Sequence, residues 1–193
     1  VPLGAWVLRE ACRQVQEWRE KYAGKRDFSV TVNISIRQFQ QKELVDVVSR
    51  ALLASGLPAR CLILEITESF MMQDTEATIA KLDLLKDLGV RLAIDDFGTG
   101  YSSLSYLQRF PIDILKIDKS FIDKLGQGSE GNAVAKAIIM MGDSLNLKTI
   151  AEGIEQPEQI GELKSLGCGA GQGYHFARPL VHDDMEDFLS ERA

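Results

Sequence analysis

Polar and mostly acidic residues end a series of short apolar runs in this 193-residue sequence. Carboxylate oxygens, with one amide oxygen among them, suit Mg²⁺ or Mn²⁺ far better than zinc. The adjacent Asp95 and Asp96 are well placed to hold two ions, and two neighbouring divalent ions favour in-line displacement at a phosphodiester. The residues that end the runs are Asn33, Glu65, Asp95, Asp96, Lys116, Asp118 and Glu152, and the last run leads into Gln172.

A network of ion pairs is the alternative interpretation of these residues. Lys116 is the one clear base in the group, and its acids are Glu65, Asp95, Asp96, Asp118 and Glu152. Carboxylates that are buried without partners repel one another and lose their hydration, so they would need cations. The residue chemistry therefore favours a divalent-metal site for phosphate chemistry over a self-neutralised network.

Strand-like and helix-like segments alternate along the chain. The predicted strands are Phe28–Ile34, Cys61–Ile66, Val90–Ile94, Ile112–Ile117, Lys148–Ala151 and 168–171. The predicted helices are 5–22, Glu43–Ala54, 74–88 with Asp74 as its cap, a short one that ends at Leu107, Ala133–Leu145, 157–167 and Asp183–Ser190. This order indicates an α/β fold with a parallel sheet, and the nearly continuous apolar strands are typical of strands buried on both faces.

Two architectures fit this order: an open doubly wound sheet and a closed (β/α)₈ TIM-like barrel. A full barrel typically needs about 250 residues, and this chain opens with a helix that no strand precedes. We therefore expect a barrel that lacks its first one or two strands. The carboxyl ends of parallel barrel strands lie on one face, where active sites form, so the polar strand ends should meet there.

Composition narrows the function classes. The formal net charge is −6, with 45% hydrophobic and 26% charged residues. An acidic domain is a poor binder of polymeric nucleic acid, but metal ions would let it hold a small phosphate ligand. The three cysteines show no Cys-x-x-Cys spacing, which predicts reduced, buried thiols in a cytoplasmic protein. Neither a signal peptide nor a membrane-length apolar run is visible, and an upstream anchor stays open.

Two further motifs do not carry a function. Asp96-Phe97-Gly98 matches the kinase D-F-G triplet, but the other kinase motifs are missing from the sequence. The glycines at 167, 169, 171 and 173 do not have the G-x-G-x-x-G spacing of a dinucleotide-binding turn.

The segment from Asp95 to Leu104, D-D-F-G-T-G-Y-S-S-L, closely resembles the EAL-domain family of cyclic-di-GMP phosphodiesterases. Further motifs follow the order that the family has. They are Asn33-Ile34-Ser35, Leu64-Glu65-Ile66-Thr67-Glu68, Leu115-Lys116-Ile117-Asp118, Ala151-Glu152-Gly153-Ile154-Glu155 and Gln172-Gly173-Tyr174. The resemblance runs from about residue 1 to about residue 190, so residues 1–193 are taken as one EAL-type domain that is incomplete at its N-terminus.

The resemblance implies a barrel that hydrolyses one phosphodiester bond of cyclic-di-GMP to give linear pGpG, with Mg²⁺ or Mn²⁺ in a two-metal site. It further implies metal ligation by Asn33, Glu65, Asp95, Asp96 and Glu152. Lys116 and Glu152 would take catalytic roles, as the residue that positions water and as a general base. Glu68 would hold the loop that follows Asp96, and Gln172 and Glu155 would meet the substrate.

The sequence departs from the family at one point: it contains no Glu-Ala-Leu, the early-strand motif that supplies a further metal ligand. A truly truncated barrel would have open edges, and we would expect this chain alone to be poorly stable and inactive. The alternative function is therefore a non-catalytic cyclic-di-GMP receptor or signalling scaffold. An unrelated metal hydrolase on the same barrel is a third reading.

The resemblance also implies partners. Sensory or cyclase domains are expected upstream of this domain, and a homodimer is a further expectation. The helix Ala133–Leu145 carries apolar residues that could serve a dimer, although packing on the barrel is the favoured use of them. The parent protein is expected in the cytoplasm, with an upstream region as its tether if it is held at a membrane.

Overall fold

The computed structural model describes residues 2–22, 28–68, 75–99, 104–126 and 129–191. The predicted cap Asp74 and residues 100–103 of the loop after Asp96 lie outside the described residues. The chain divides into two compact units. The first takes in the described residues up to Ile94 and those from 104 to 113, and the second takes in 95–99 and the described residues from Ile114 onward.

The first unit contains the amino-terminal strands and the helices that cover them. Its elements are α1 (Pro2–Lys21), β1 (Val30–Asn33), α2 (Ile36–Phe39), α3 (Leu44–Ser55), a 3₁₀ turn (Ala59–Cys61), β2 (Leu62–Thr67), α4 (Thr75–Asp87), the start of β3 (Arg91–Phe97) and α5 (Leu104–Arg109). The strands follow the order β1-β2-β3 in the sheet. The strands β1 and β2 are parallel, and their register sets Asn33 beside Glu65 at the carboxyl end.

Apolar side chains from both sides of the sheet form the core of the first unit. The helix α1 packs on α3 and β1, and its residues Leu8 and Cys12 are buried. The strand β2 is buried over five successive residues from Leu62 to Ile66, as expected for a parallel strand that is covered on both faces. The helix α3 ends at Gly56, whose φ of 70° is left-handed and allows its N–H to reach the Leu52 carbonyl.

The second unit continues the same alternation. Its elements are the end of β3, β4 (Ile114–Ile117), α6 (Lys119–Ile122), α7 (Ser129–Ser144), β5 (Lys148–Ala151), α8 (Pro157–Ser165), β6 (Ala170–Gly171) and α9 (His182–Glu191). The strand order is β3-β4-β5-β6, and β4 with β5 and β5 with β6 are parallel pairs. The register aligns Ile117 with Ala151 and Ala151 with Gly171, so the residues that follow these strands leave the sheet side by side.

The alternating α/β order with parallel strands is confirmed, with changes at the element ends. The strand β3 runs three residues past the predicted end at Ile94, so it includes Asp95 and Asp96. The strand β6 has two residues, and the short helices α2 and α6 were not predicted. Four-residue helices are too short to show an apolar period, which explains why they were missed.

The structure also bears on the predictions about the cysteines and about membrane-length helices. Cys12, Cys61 and Cys168 are free and buried, as predicted, and burial raises the pKa of the Cys12 thiol to about 11. Among the helices of the described residues, none combines the length and apolar character that a bilayer crossing requires. On α7, the residues Ile138 and Ile139 are buried, whereas Val134 is exposed.

Candidate metal centre and its cavity

Asp95 and Asp96 bring two carboxylates to the end of β3 through an unusual backbone conformation. Successive side chains of a regular strand point to opposite faces. The φ of Asp96 is 55°, in the left-handed region that few residues other than glycine, asparagine and aspartate adopt. This conformation breaks the alternation, and both carboxylates join Glu152 in one group whose ligand oxygens lie within 4.8 Å of one another.

The ammonium group of Lys116 lies within this acidic cluster, which we define as Asp95, Asp96 and Glu152. Its Nζ is 2.9 Å from Oδ1 of Asp95 and 2.5 Å from Oε1 of Glu152. Lys116 is on β4, and only 5% of its surface is exposed. The alternative, an ion-pair network, is therefore present in part, but the one ammonium of Lys116 cannot neutralise three carboxylates.

Burial, with a smaller contribution from repulsion between the acids, favours the protonated forms of Glu152 and Asp96. Burial raises the pKa of Glu152 to about 7, while the hydrogen bond and charge of Lys116 oppose the rise. Burial also raises the pKa of Asp96, and repulsion from Asp95 and Asp118 adds to the effect. The positive charge of a divalent cation would offset both effects because it favours the ionised carboxylates.

Backbone hydrogen bonds fix the position of Glu152 and of its neighbour Gln172. The N–H of Glu152 donates to the Ile117 carbonyl at 3.1 Å, and the N–H of Gln172 donates to the Ala151 carbonyl at 2.8 Å. The side chain of Gln172 then donates from Nε2 to Oε1 of Glu152 at 2.6 Å. The predicted substrate residue Gln172 thus contacts the acidic cluster directly.

Glu155 and Asp118 lie in the loops beside the cluster. Asp118 is the N-terminal cap of α6, and its carboxylate accepts the N–H of Ser120 at 3.0 Å. The next residue, Lys119, contacts Oδ1 of Asp123 at 2.6 Å and Oε1 of Glu155 at 3.2 Å. Lys119 was missed at the level of sequence, although its place directly after a strand-end motif was a signal.

A cavity of about 640 Å³ opens beside the cluster in the second unit. The polar residues of its lining are Asp96, Asp118, Lys119, Glu152, Glu155 and Gln172. The apolar part of its lining comes from the segment after β6 and from α9, and its residues include Tyr174, Pro179, Leu180, Met185 and Phe188. The guanidinium of Arg178 lies 5.4 Å from the centre of the Tyr174 ring. Sequence reasoning missed this apolar part of the lining because it treated the last helix only as a structural element.

The remaining predicted site residues lie in the first unit. Asn33 and Glu65 are register partners, and the N–H of Ile34 donates to the Glu65 carbonyl at 2.8 Å. Asn33 is exposed, whereas Glu65 and Glu68 are both 4% exposed. The structure thus brings Asn33 and Glu65 together at neighbouring strand ends, and it groups Asp95, Asp96, Lys116, Glu152 and Gln172 in the second unit.

The donor set of the acidic cluster fits a hard divalent cation. Two oxygens on one Mg²⁺, Mn²⁺ or Ca²⁺ ion lie at most about 4 to 5 Å apart, given metal–oxygen bonds of about 2.0 to 2.6 Å. One carboxylate oxygen of each of Asp95, Asp96 and Glu152 lies within 4.8 Å of the others, close enough for the three to converge on one cation. The cluster contains no thiolate or imidazole, which argues against a structural zinc site.

Comparison with known proteins places these observations in a family. The model of the EAL domain family matches residues 1–179. The protein named bifunctional diguanylate cyclase/cyclic di-GMP phosphodiesterase MucR of Pseudomonas aeruginosa is 47% identical over 185 residues, which are 96% of this chain and 27% of that protein. The chain thus spans about a quarter of the length of this curated relative.

Solved structures agree with this similarity. The complex of the PaMucR phosphodiesterase with c-di-GMP superposes with a TM-score of 0.90 at 45% identity, covering 96% of this chain and 74% of that one. The manganese/cy-diGMP complex of Klebsiella pneumoniae BlrP1 has a TM-score of 0.83 at 27% identity, covering 94% of this chain and 45% of that one.

These matches confirm the predicted fold class, a TIM-like (β/α)₈ barrel that is present here in part. A family model that spans residues 1–179 and a relative that is 47% identical lead to one conclusion: the chain belongs to the EAL domain family.

Proposed function

We propose that this protein is a metal-dependent phosphodiesterase that hydrolyses cyclic-di-GMP to linear pGpG in bacterial second-messenger signalling. The observation that carries the proposal is the cluster of Asp95, Asp96 and Glu152, whose oxygens approach within 4.8 Å beside a cavity of about 640 Å³. The names of MucR and of its complex with c-di-GMP support the choice of substrate.

The cluster supplies ligands for Mg²⁺ or Mn²⁺. Asp95, Asp96 and Glu152 would hold the cations, and Asn33 and Glu65 are proposed as further ligands of a two-metal site. When bound, the cations would stabilise the negative charge of the phosphoryl group and activate water for attack. The manganese complex of BlrP1 supports this choice of metal.

Lys116 and Glu152 would supply a positive charge and a proton acceptor for the reaction. Lys116 carries a fixed positive charge at the site and would orient the attacking water through its ammonium N–H groups. Glu152 would accept the proton of that water, since burial raises the pKa of its carboxyl to about 7, near the pH at which a general base works best. Water adds to one phosphorus and one ester P–O bond breaks, so the ring opens to a linear dinucleotide.

The residues around the cluster would bind the substrate. Gln172 and Glu155 line the cavity and are proposed to contact the nucleotide. Glu68, which is buried in the first unit, is proposed to hold the loop after Asp96 as a positioning residue. The whole span of 1–193 is proposed to act as one domain.

A non-catalytic cyclic-di-GMP receptor is the second candidate. The observation that favours it is the double contact of Lys116 with Asp95 and Glu152, which neutralises part of the cluster without any cation. A receptor would keep the cavity and the ligand but would not need the metals.

One experiment separates the two candidates. The protein is incubated with cyclic-di-GMP and Mn²⁺, and pGpG is followed by chromatography for the wild type, Glu152→Gln and Asp95→Asn. We expect each variant to lose at least about 100-fold in turnover, the usual size of a general-base or metal contribution. The matched controls are Glu158→Gln and Asp83→Asn, two exposed positions in helices. Binding of cyclic-di-GMP by the wild type without turnover, and unchanged by Glu152→Gln, would favour the receptor.

Partners and location remain proposals of the same kind. Sensory or cyclase domains are proposed upstream because the matched relative is about three and a half times as long as this chain. A homodimer and a place in the cytoplasm, with a membrane tether through an upstream region if there is one, complete the proposal.

A further inference from the structure

Gln159 is a buried polar residue to which neither the proposed chemistry nor the metal site assigns a role. It lies in the first turn of α8 and is 8% exposed. Its Oε1 accepts the backbone N–H groups of Glu155 and Gln156, both at 2.9 Å. Its Nε2 donates to the carbonyl of Ile122 at 3.1 Å. One side chain therefore satisfies three backbone groups.

The bond from Gln156 is ordinary helix capping, whereas the bonds to Glu155 and Ile122 extend beyond the helix. A glutamine at the third helical position commonly accepts the N–H of the residue that caps the helix. The bond to Ile122 reaches a carbonyl 37 residues earlier in the chain, at the end of α6. Gln159 thus joins the loop between β5 and α8 to the end of α6.

These two segments form one wall of the cavity. The loop carries Glu155, and α6 begins with Lys119, and both side chains line the cavity. Their side chains also contact each other at 3.2 Å, between Nζ of Lys119 and Oε1 of Glu155. Glu155 is therefore held at its backbone by Gln159 and at its side chain by Lys119.

Glu152, on the same loop, is held independently of Gln159. Its N–H is bonded to Ile117 of β4, and its carboxylate is bonded to Lys116 and Gln172. A loss of the Gln159 bonds would release Glu155 and the end of α6, while the catalytic carboxylate would keep its own hydrogen bonds.

We propose that Gln159 is a positioning residue that fixes the cavity wall formed by Glu155 and Lys119, so that it sets the affinity for substrate rather than the rate of the chemical step. The inference rests on the proposed function, because it names the wall against which the cyclic dinucleotide binds. Substitutions that remove its bonds should raise KM and leave kcat nearly unchanged, the pattern of lost uniform binding.

Two variants and one control test the role. Gln159→Met keeps the length and burial of the side chain but removes all three bonds. Gln159→Glu keeps an acceptor for the two N–H groups. The control is Leu163→Ala, one turn further along α8, where a residue that is 3% exposed lies in the core without bonding to the loop. Loss of its methyl groups destabilises the helix by a cavity effect.

Two measurements follow, kinetics and amide exchange. For Gln159→Met we expect KM for cyclic-di-GMP to rise about 10-fold, the effect of losing one or two net hydrogen bonds, with kcat within about 2-fold of the wild type. The KM of Gln159→Glu should lie between the values of the wild type and of Gln159→Met. Leu163→Ala should leave KM unchanged. Hydrogen exchange of the metal-free, ligand-free protein should be faster at Glu155 and Gln156 in Gln159→Met, with α8 after Gly161 unaffected.

The outcomes that overturn the inference are distinct. A rise in KM of the same size in Leu163→Ala would mean that Gln159 acts through the stability of the helix alone. A fall in kcat as large as the rise in KM, or unchanged exchange at Glu155 and Gln156, would also contradict it. If the wild type neither binds nor cleaves cyclic-di-GMP, the proposed function fails, and the exchange result alone decides whether Gln159 fixes this wall.

Discussion

Replacement of Lys116 by methionine tests how far the acidic cluster depends on an internal cation when metal is absent. Methionine keeps an unbranched side chain of similar length but carries no charge. The variant loses the contacts of Nζ with Asp95 at 2.9 Å and with Glu152 at 2.5 Å. The carboxylates of Asp95, Asp96 and Glu152 then lose the positive charge that Lys116 places among them.

The size of the effect follows from burial. Removal of one partner from a buried ion pair costs about 3 to 5 kcal/mol, because the remaining charge stays uncompensated. The side chains of Asp95 and Glu152 keep 16% and 13% of their surface exposed, so water can hydrate them in part. Glu152, with a pKa already near 7, can also take up a proton. We therefore expect a loss of about 3 kcal/mol at pH 8 in EDTA and a smaller loss at pH 6.

The assay is urea unfolding in EDTA and in Mn²⁺, followed by circular dichroism. Because bound Mn²⁺ would neutralise the same carboxylates, the loss caused by Lys116→Met should shrink by at least about 1 kcal/mol when the metal is present. The variant should also bind Mn²⁺ more tightly in titration calorimetry, since the Lys116 ammonium no longer competes for Asp95 and Glu152. Turnover should fall even at saturating Mn²⁺.

A matched control separates this effect from the loss of any lysine. Lys86 contacts both carboxylate oxygens of Asp113, at 2.6 and 2.7 Å, but the two side chains are 29% and 30% exposed. Lys86→Met should cost at most about 1 kcal/mol, independently of Mn²⁺. An equal loss for Lys116→Met in EDTA and in Mn²⁺ would refute the reasoning, because the carboxylates would then not be metal ligands.

Two further predictions concern protonation and packing. In EDTA, Glu152 contributes stability that is fully present below its ordinary pKa of 4.5 and is lost as the pH rises through about 7. The free energy of urea unfolding should therefore fall with pH over this range in the wild type and fall less steeply in Glu152→Gln. Parallel pH dependences of the two proteins would contradict this prediction. A Cβ at Gly173 would lie 2.2 Å from the backbone N and O of Ile154, whereas one at Gly161 meets nothing within 4 Å. Gly173→Ala should therefore cost at least about 3 kcal/mol and Gly161→Ala should gain up to about 1 kcal/mol, as thermal unfolding can check; equal stability of the two variants would count against the close approach.

The sequence was sufficient for the order of the elements and for most of their positions. The run Lys148–Ala151 was predicted with the bounds that the structure has, because Asn146 before it and the Glu152-Gly153 pair after it mark both ends clearly. The strand β6 was the weakest prediction, since Ala170 and Gly171 have neither length nor a β-branched side chain. The helices α2 and α6 depend on caps by Ser35 and Asp118 rather than on an apolar period.

The grouping at the site was predictable to the extent that topology determines it. Parallel strands bring their carboxyl ends together, so Asp95, Lys116 and Glu152 could be expected to meet. Topology does not specify the left-handed conformation of Asp96 or the hydrogen bond from Gln172 to Glu152. These depend on backbone geometry at single residues.

The apolar part of the cavity lining could not be predicted from the sequence for a similar reason. An amphipathic pattern predicts α9, but it does not say which neighbour the apolar face of the helix will cover. Only the packed structure places Met185 and Phe188 on the wall of the cavity.

Two separate requirements limit which residues can replace Asp96: the left-handed backbone conformation and the binding of a cation. The conformation, with φ of 55°, is tolerated by glycine, asparagine and aspartate and is strained for other side chains. Cation binding, in contrast, requires the negative charge. A saturation library at residue 96 should therefore rank its members differently by cellular abundance and by turnover. Asp96→Asn and Asp96→Gly would accumulate like the parent but would not turn over substrate, whereas β-branched replacements would be depleted in both screens.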